Sequence, residues 1–163
     1  MKFTLLTHAR EFGKRSNSGR LVLEGLGPAA EQVRWDRTHP PAQLLADIAA
    51  GGVALVYPGN AAASVPPSHI AQFLLIDGTW LSARWIYQRS AYLRDLPRVS
   101  LQPGAASQYN LRPNQKAGCL CTAECVIEIL TQLGHHAEAE QLRARFLAFL
   151  KPPSRPPLTP AFT

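Results

Sequence analysis

Phe73-Leu74-Leu75-Ile76-Asp77-Gly78-Thr79-Trp80-Leu81-Ser82-Ala83-Arg84 decides how this chain folds and where its chemistry lies. The first four residues are a continuous apolar run closed by an acid and a glycine, the pattern of a short strand buried on both faces of a parallel sheet. From residue 81 the sequence reads as a helix. The carboxylate of Asp77 therefore stands at the carboxyl end of a strand, on the rim of an open α/β sheet where diverging loops leave a crevice for ligands. An acid with no basic neighbour in sequence, beside a turn-forming glycine and a large aromatic, suits contact with a substrate. Asp is also a preferred helix N-cap, and the sequence alone leaves both readings of Asp77 open.

The same alternation extends along the chain. Strand-like runs at residues 3–6, 32–35, 53–57, 73–76 and 99–101 are separated by helix-like stretches at 20–26, 42–50 and 81–96, each bounded by Gly or Pro. This predicts an α/β fold: one domain with a mostly parallel sheet and helices on both faces. Two further helices are expected at 122–133, where Cys125, Ile129 and Leu133 recur at spacing four, and at 136–150, where Leu142, Phe146, Phe149 and Leu150 make an apolar stripe. Gly134 separates them. Residues 151–163 carry prolines at 152, 153, 156, 157 and 160, which exclude a helix, so the chain divides into a domain at 1–150 and an extended or disordered tail.

A length of 163 residues with 46% hydrophobic and 17% charged side chains places the chain among globular proteins and excludes the disordered class. The first ten residues lack the sustained apolar stretch of a signal peptide, and no run is long enough to cross a bilayer, so a cytoplasmic protein with no membrane association is expected. Cys119, Cys121 and Cys125 crowd together and cannot make a disulfide framework; they also lack the pairing and the fourth ligand of a zinc site, so no metal is expected. Lys and Arg number 17 against 11 Asp and Glu, a net charge of +6 that favours a polyanionic partner, nucleic acid first. Net charge does not locate a patch, and a merely basic soluble protein is the competing reading.

Three loops join Asp77 as candidates. Tyr57-Pro58-Gly59-Asn60 follows a predicted strand onto the same rim, where its glycine serves either close ligand approach or an ordinary turn. The stretch 102–118, with Tyr109-Asn110-Leu111-Arg112-Pro113-Asn114, is a long loop of the kind more often functional than not. It leads into Cys121-Thr122-Ala123-Glu124-Cys125, where Thr122 reads as an N-cap and Glu124 falls in the first turn. Orphan N–H groups there can hold a carboxylate, or Glu124 simply complements the helix dipole. After the first strand, His8, Lys14, Arg15, Asn17 and Arg20 occupy a basic, turn-rich loop able to hold RNA phosphates; a solvated loop, or for His8 a packed core residue, is the alternative.

In this order the motifs resemble the DTW-domain family of tRNA-uridine aminocarboxypropyltransferases. Asp77, Thr79 and Trp80 match its Asp-x-Thr-Trp. His8 and Glu11, Asn17-Ser18-Gly19-Arg20, Tyr57-Pro58-Gly59 and Tyr109 to Arg112 match its other segments, and Cys121-Thr122-Ala123-Glu124-Cys125 stands where the family has Ser-Thr-x-Glu-Ala. The resemblance spans residues 4–133 and implies a SPOUT-like domain with a trefoil knot, which sequence pattern alone never suggests. It also implies S-adenosylmethionine as co-substrate. Its 3-amino-3-carboxypropyl group would pass to N3 of a tRNA uridine, releasing methylthioadenosine; the same transfer to ribosomal RNA, or a non-catalytic RNA-binding module, are the alternatives.

The site that follows has Asp77 as general base for the N3 proton. Tyr57, Pro58, Gly59, Thr79, Trp80, Leu111, Arg112, Cys121, Thr122 and Glu124 would hold the co-substrate, although Trp80 equally suits stacking on a uracil or packing in the core. His8, Lys14, Arg15, Asn17, Arg20 and Arg84 would bind RNA. No protein partner is implied. Family members often carry a cysteine-rich zinc-binding segment ahead of the first strand; the sequence opens at that strand, and no zinc is expected from it. Cysteine in place of the small residues around Thr122 and Glu124 should preserve packing.

Overall fold

The structure, a computed structural model, describes residues 1–59, 64–102, 106–111 and 119–151. Its elements run β1 (Lys2–His8), α1 (Gly19–Leu26), β2 (Ala30–Trp35), α2 (Ala42–Ala50), β3 (Val53–Val56), β4 (Gln72–Asp77), α3 (Trp80–Arg89), α4 (Ala91–Arg94), β5 (Arg98–Val99), α5 (Thr122–Gln132) and α6 (His136–Leu150). The five strands form one parallel sheet in the order β2-β1-β4-β3-β5.

The apolar runs read as strands because both faces of the sheet are covered. Phe3, Leu5, Ala54, Phe73 and Leu75 project to one side, where they pack with Leu21 and Val22 of α1, Val126 and Leu130 of α5, and Leu142 and Phe146 of α6. Leu6, Val53, Leu55 and Leu74 project to the other, against Leu44 of α2, Ile86 of α3 and Leu93 of α4. Strict alternation along strands that are apolar at almost every position is the consequence of two cores sharing one sheet.

Several boundaries differ from the sequence reading. The helix expected at 81–96 is two helices, α3 and α4, broken at Ser90, which adopts an extended backbone. Ser90 is buried, and its Oγ accepts the indole N–H of Trp35 at 2.8 Å, a bond that satisfies the buried ring nitrogen. The strand expected at 99–101 is the two-residue β5, while β2 begins earlier, at Ala30. The tail beyond Lys151 lies outside the described residues. So do 103–105 and 112–118. Among the described residues no helix is long and apolar enough to cross a membrane.

Neighbouring strands β1 and β4 send their following helices to opposite faces, α1 to the first and α3 to the second. The loops leaving Thr7 and Asp77, partners across the ladder, therefore part company at the carboxyl edge. That divergence opens the crevice.

Candidate active site

Asp77 is the last residue of β4 and is 1% exposed. It shares its face with Phe73 and Leu75, so its carboxylate lies toward α1 and α5. Thr7 Oγ1 and Asn17 Nδ2 donate to its Oδ2 at 3.2 and 2.7 Å, and Thr122 Oγ1 donates to its Oδ1 at 2.9 Å. Three separate segments thus fix one carboxylate in one orientation. Asn17 is fixed in turn, its Oδ1 accepting the Gly19 N–H at 2.6 Å. Gly19 has to be glycine, because a Cβ there would stand 2.7 Å from Asp77 Oδ1 and 2.8 Å from its Cγ. Ser18 Oγ accepts the Ala123 N–H at 3.3 Å, tying the start of α1 to the start of α5 above the acid.

The capping reading of Asp77 is overturned. Thr79 caps α3, its side chain accepting the Ser82 N–H at 3.1 Å. Gly78 lets Ser82 fold back over the turn, since a Cβ at 78 would fall 2.5 Å from Ser82 Oγ. Thr122 is likewise not a cap. Cys121 holds that position, and Thr122, as the first helical residue, has its hydroxyl turned to Asp77.

A cavity of about 370 Å³ opens beside Asp77, a volume suited to a nucleoside-sized ligand. Of the expected co-substrate residues, Tyr57, Pro58, Gly59, Thr79, Trp80, Cys121 and Thr122 line it. Leu111 is exposed and does not. Arg112 lies outside the described residues. Glu124 also stays off the wall, a correction with a clear cause. It closes the capping box of α5 by accepting the Cys121 N–H at 2.8 Å, and it accepts Ser107 Oγ at 2.6 Å and the Gln108 N–H at 2.7 Å. Glu124 thereby holds the loop that brings Tyr109 to the cavity, where the Tyr109 hydroxyl donates to the Ser16 carbonyl.

Tyr57 stands in a column of rings. It stacks on Trp80 at 5.9 Å and on Tyr87 at 4.6 Å, and the Arg98 guanidinium lies 5.2 Å over the Tyr87 ring while donating to its hydroxyl. Burial is the main cause that pushes the Tyr57 hydroxyl above the ordinary tyrosine range, and Arg84 and Arg98 oppose it. Burial also pushes the Cys121 thiol far up and the Cys125 thiol up to about 12, with Glu124 adding to both. Both residues line the cavity, and burial favours their neutral thiols. Among the described residues no group of three His, Cys, Asp or Glu is arranged to hold a metal ion.

The residues expected to bind RNA separate into two groups. Lys14, Arg15, Arg20 and Arg84 are exposed, with Lys14 bonded to the buried Glu11 at 2.7 Å and Arg20 lying 5.1 Å over the Phe149 ring. Asn17 is buried on Asp77 instead of facing solvent. His8 is a packed rim residue: it stacks on Trp35 at 5.7 Å, meets Trp85 edge-on at 6.0 Å, and accepts the Arg10 N–H at Nδ1. Sequence reasoning missed Ser16, Ser18, Ser100, Leu101, Gln102 and Cys119 on the cavity wall. For Ser16 and Ser18 a signal was present, because a loop leaving the strand beside β4 must pass Asp77.

A parallel sheet with a crevice at the carboxyl ends of β1 and β4, where their following helices part to opposite faces, defines an open α/β domain. The fold is similar to that of the SAM-dependent rRNA:acp-transferase Tsr3 from Vulcanisaeta distributa, with a TM-score of 0.56 over 91% of this chain and 74% of that one at 18% identity. Within that class the chain belongs to the DTW domain family, whose model matches residues 1–152. It is 31% identical over 157 residues to tRNA-uridine aminocarboxypropyltransferase 2 of Drosophila melanogaster, covering 88% of this chain and 61% of that protein. With the protein of the same name from Macaca fascicularis it shares 32% identity over 88 residues, 50% of this chain and 30% of the other. The chain therefore spans less than two thirds of the length of these relatives.

Proposed function

We propose that residues 1–150 form the catalytic domain of an S-adenosylmethionine-dependent tRNA-uridine aminocarboxypropyltransferase, which moves the 3-amino-3-carboxypropyl group to uridine N3 and releases methylthioadenosine. The observation that carries this reading is the carboxylate of Asp77, oriented by Thr7, Asn17 and Thr122 beside a cavity of about 370 Å³. The names of the relatives support tRNA over ribosomal RNA, since they share more identity with this chain than the ribosomal-RNA enzyme does.

The co-substrate supplies a sulfonium whose three attached carbons are all open to attack. Choosing the aminocarboxypropyl carbon over the intrinsically favoured methyl is then a matter of position, and the walls at Tyr57 to Gly59, Thr79, Trp80 and Cys121 to Thr122 set it. Trp80, backed by the Tyr57 ring, offers flat apolar surface for a ring, and the backbone at Gly59 admits close approach. Asp77 takes the N3 proton, which uridine must lose to become a nucleophile, a contribution of about 10²–10⁴-fold. Thr7, Asn17 and Thr122 orient it for that step. Lys14, Arg15, Arg20 and Arg84 hold the RNA by charge, with Arg112 as a further contact.

Calorimetry with S-adenosylmethionine and with methylthioadenosine tests the site. Binding that is weakened at least tenfold by Trp80→Ala, without loss of folding, is the expected result; no binding at millimolar ligand would remove the reading.

A further inference from the structure

A second cavity, of about 110 Å³, lies next to the first and is lined by Gly13, Lys14, Asn17, Arg20 and Gln32. Asn17 is the partition between them, lining both while its amide donates to Asp77 at 2.7 Å. Gln32 reaches the same acid in two steps: its Nε2 donates to Thr7 Oγ1 at 3.3 Å, and Thr7 donates to Asp77. Lys14, Arg20 and Gln32 bring N–H donors to this small cavity, Asn17 spending its amide hydrogens on Asp77 and on the Glu11 carbonyl, and the one remaining residue, Gly13, has a positive φ of 72° with open space where a Cβ would stand. Two cations and an amide converging on so small a space suit an oxyanion.

The two cations are not equivalent. Lys14 is bonded to Glu11, which offsets its charge. Arg20 has no carboxylate within ion-pair distance among the described residues, and it rests on Phe149 by the face of its guanidinium. Such stacking uses the plane of the group and leaves its N–H edge for an acceptor.

We propose that this cavity takes one backbone phosphate of the RNA strand beside the target uridine, with Arg20 as the principal contact. The inference deepens the RNA-substrate reading above and rests on it. A phosphate seated there sets the register of the strand, because the wall it touches at Asn17 is the wall that orients Asp77. The basic loop then positions the strand as well as attracting it.

The test is tRNA binding across a salt titration, without S-adenosylmethionine, for the wild-type chain, Arg20→Gln and Arg94→Gln. Arg94 is an exposed arginine on α4, which packs on the opposite face of the sheet. Arg20→Gln should weaken binding about tenfold and lower the slope of log affinity against log salt by about one, with Arg94→Gln changing neither. An unchanged slope in Arg20→Gln, or an equal loss in Arg94→Gln, overturns the phosphate site while leaving the RNA reading intact. A wild-type chain that binds no tRNA removes the RNA reading itself, and this site with it.

Discussion

The two central strands carry a polar cluster at each end, and the clusters are built for different tasks. At the amino ends Gln72 donates to Thr4 Oγ1 at 2.9 Å and to Asp47 at 3.3 Å, Thr4 donates to Glu31 at 2.9 Å, and Lys2 reaches Glu31 at 2.8 Å and Asp47 at 3.8 Å. Lys2 is pushed above the ordinary lysine value chiefly by its bond to Glu31, and Asp47 is lowered chiefly by its bond from Gln43. One ammonium there bridges two carboxylates, and the cluster closes on itself near the surface. At the carboxyl ends Asp77 is gripped by two hydroxyls and an amide and adjoins a ligand-sized cavity. Residue types are similar at both ends; what differs is the path of the chain. Loops that diverge from β1 and β4 leave room at one end, whereas at the other Lys2 N–H bonds to Ala71 and Gln72 N–H to Gly52, closing the edge.

The largest contrast should come from changing one hydrogen-bonding group at each end. Asp77→Asn is expected to lower the single-turnover rate of transfer by about 10²–10⁴-fold, with ligand binding and melting temperature nearly unchanged. Gln72→Leu at the other end should leave the rate alone and cost stability. A rate loss of equal size in both variants would erase the distinction between the ends.

Gly19→Ala sharpens the same comparison through packing. The added methyl would press on Asp77 and Asn17 Oδ1, and overpacking of this kind costs about 1–3 kcal/mol, read by chemical denaturation together with a fall in turnover. A fully stable and active variant would show that the approach of α1 to Asp77 is looser than the structure has it.

A smaller effect is expected from pH at the amino end. The raised value of Lys2 adds stability below the ordinary lysine range, lost as pH climbs through the raised value; the lowered value of Asp47 adds stability above the ordinary carboxylate range, lost as pH falls through the lowered one. The melting-temperature gap between wild type and Lys2→Met should therefore narrow as pH climbs through the raised value of Lys2, while the contribution of Asp47, held chiefly by Gln43, persists in the variant. Smallest of all is the response to alkylation. With Cys125 pushed up to about 12, and Cys121 raised as well, iodoacetamide at pH 8 should leave both unmodified in the native chain by peptide mass spectrometry and label them once it is unfolded.

Much of this was legible from the chain. The run 73–76 announces a two-sided strand, which puts Asp77 on the carboxyl rim, and Tyr57 to Gly59 follows by the same logic. What local pattern does not carry is contact across the fold. Thr7 and Thr122 meet Asp77 from 70 and 45 residues away, and Trp35 bonds to Ser90, where the helix breaks, from 55 residues away. Asn17 sits among basic residues and so reads as an RNA contact, yet the turn to Gly19 buries it on the acid. Thr122 looks like a cap because threonine usually is one; that Cys121 holds the position becomes visible only when Glu124 is seen closing the capping box.

One measurement tests the central claim most directly. Incubating tRNA and the protein with S-adenosylmethionine that carries one isotope in the carboxyl carbon and another in the methyl should deliver the carboxyl label to a uridine of the RNA. The methyl label should leave as methylthioadenosine, and Asp77→Asn should deliver neither label. Methyl label in the RNA would make the chain a methyltransferase, and wild-type transfer by the Asp77→Asn variant would contradict the role assigned to the acid at the end of β4.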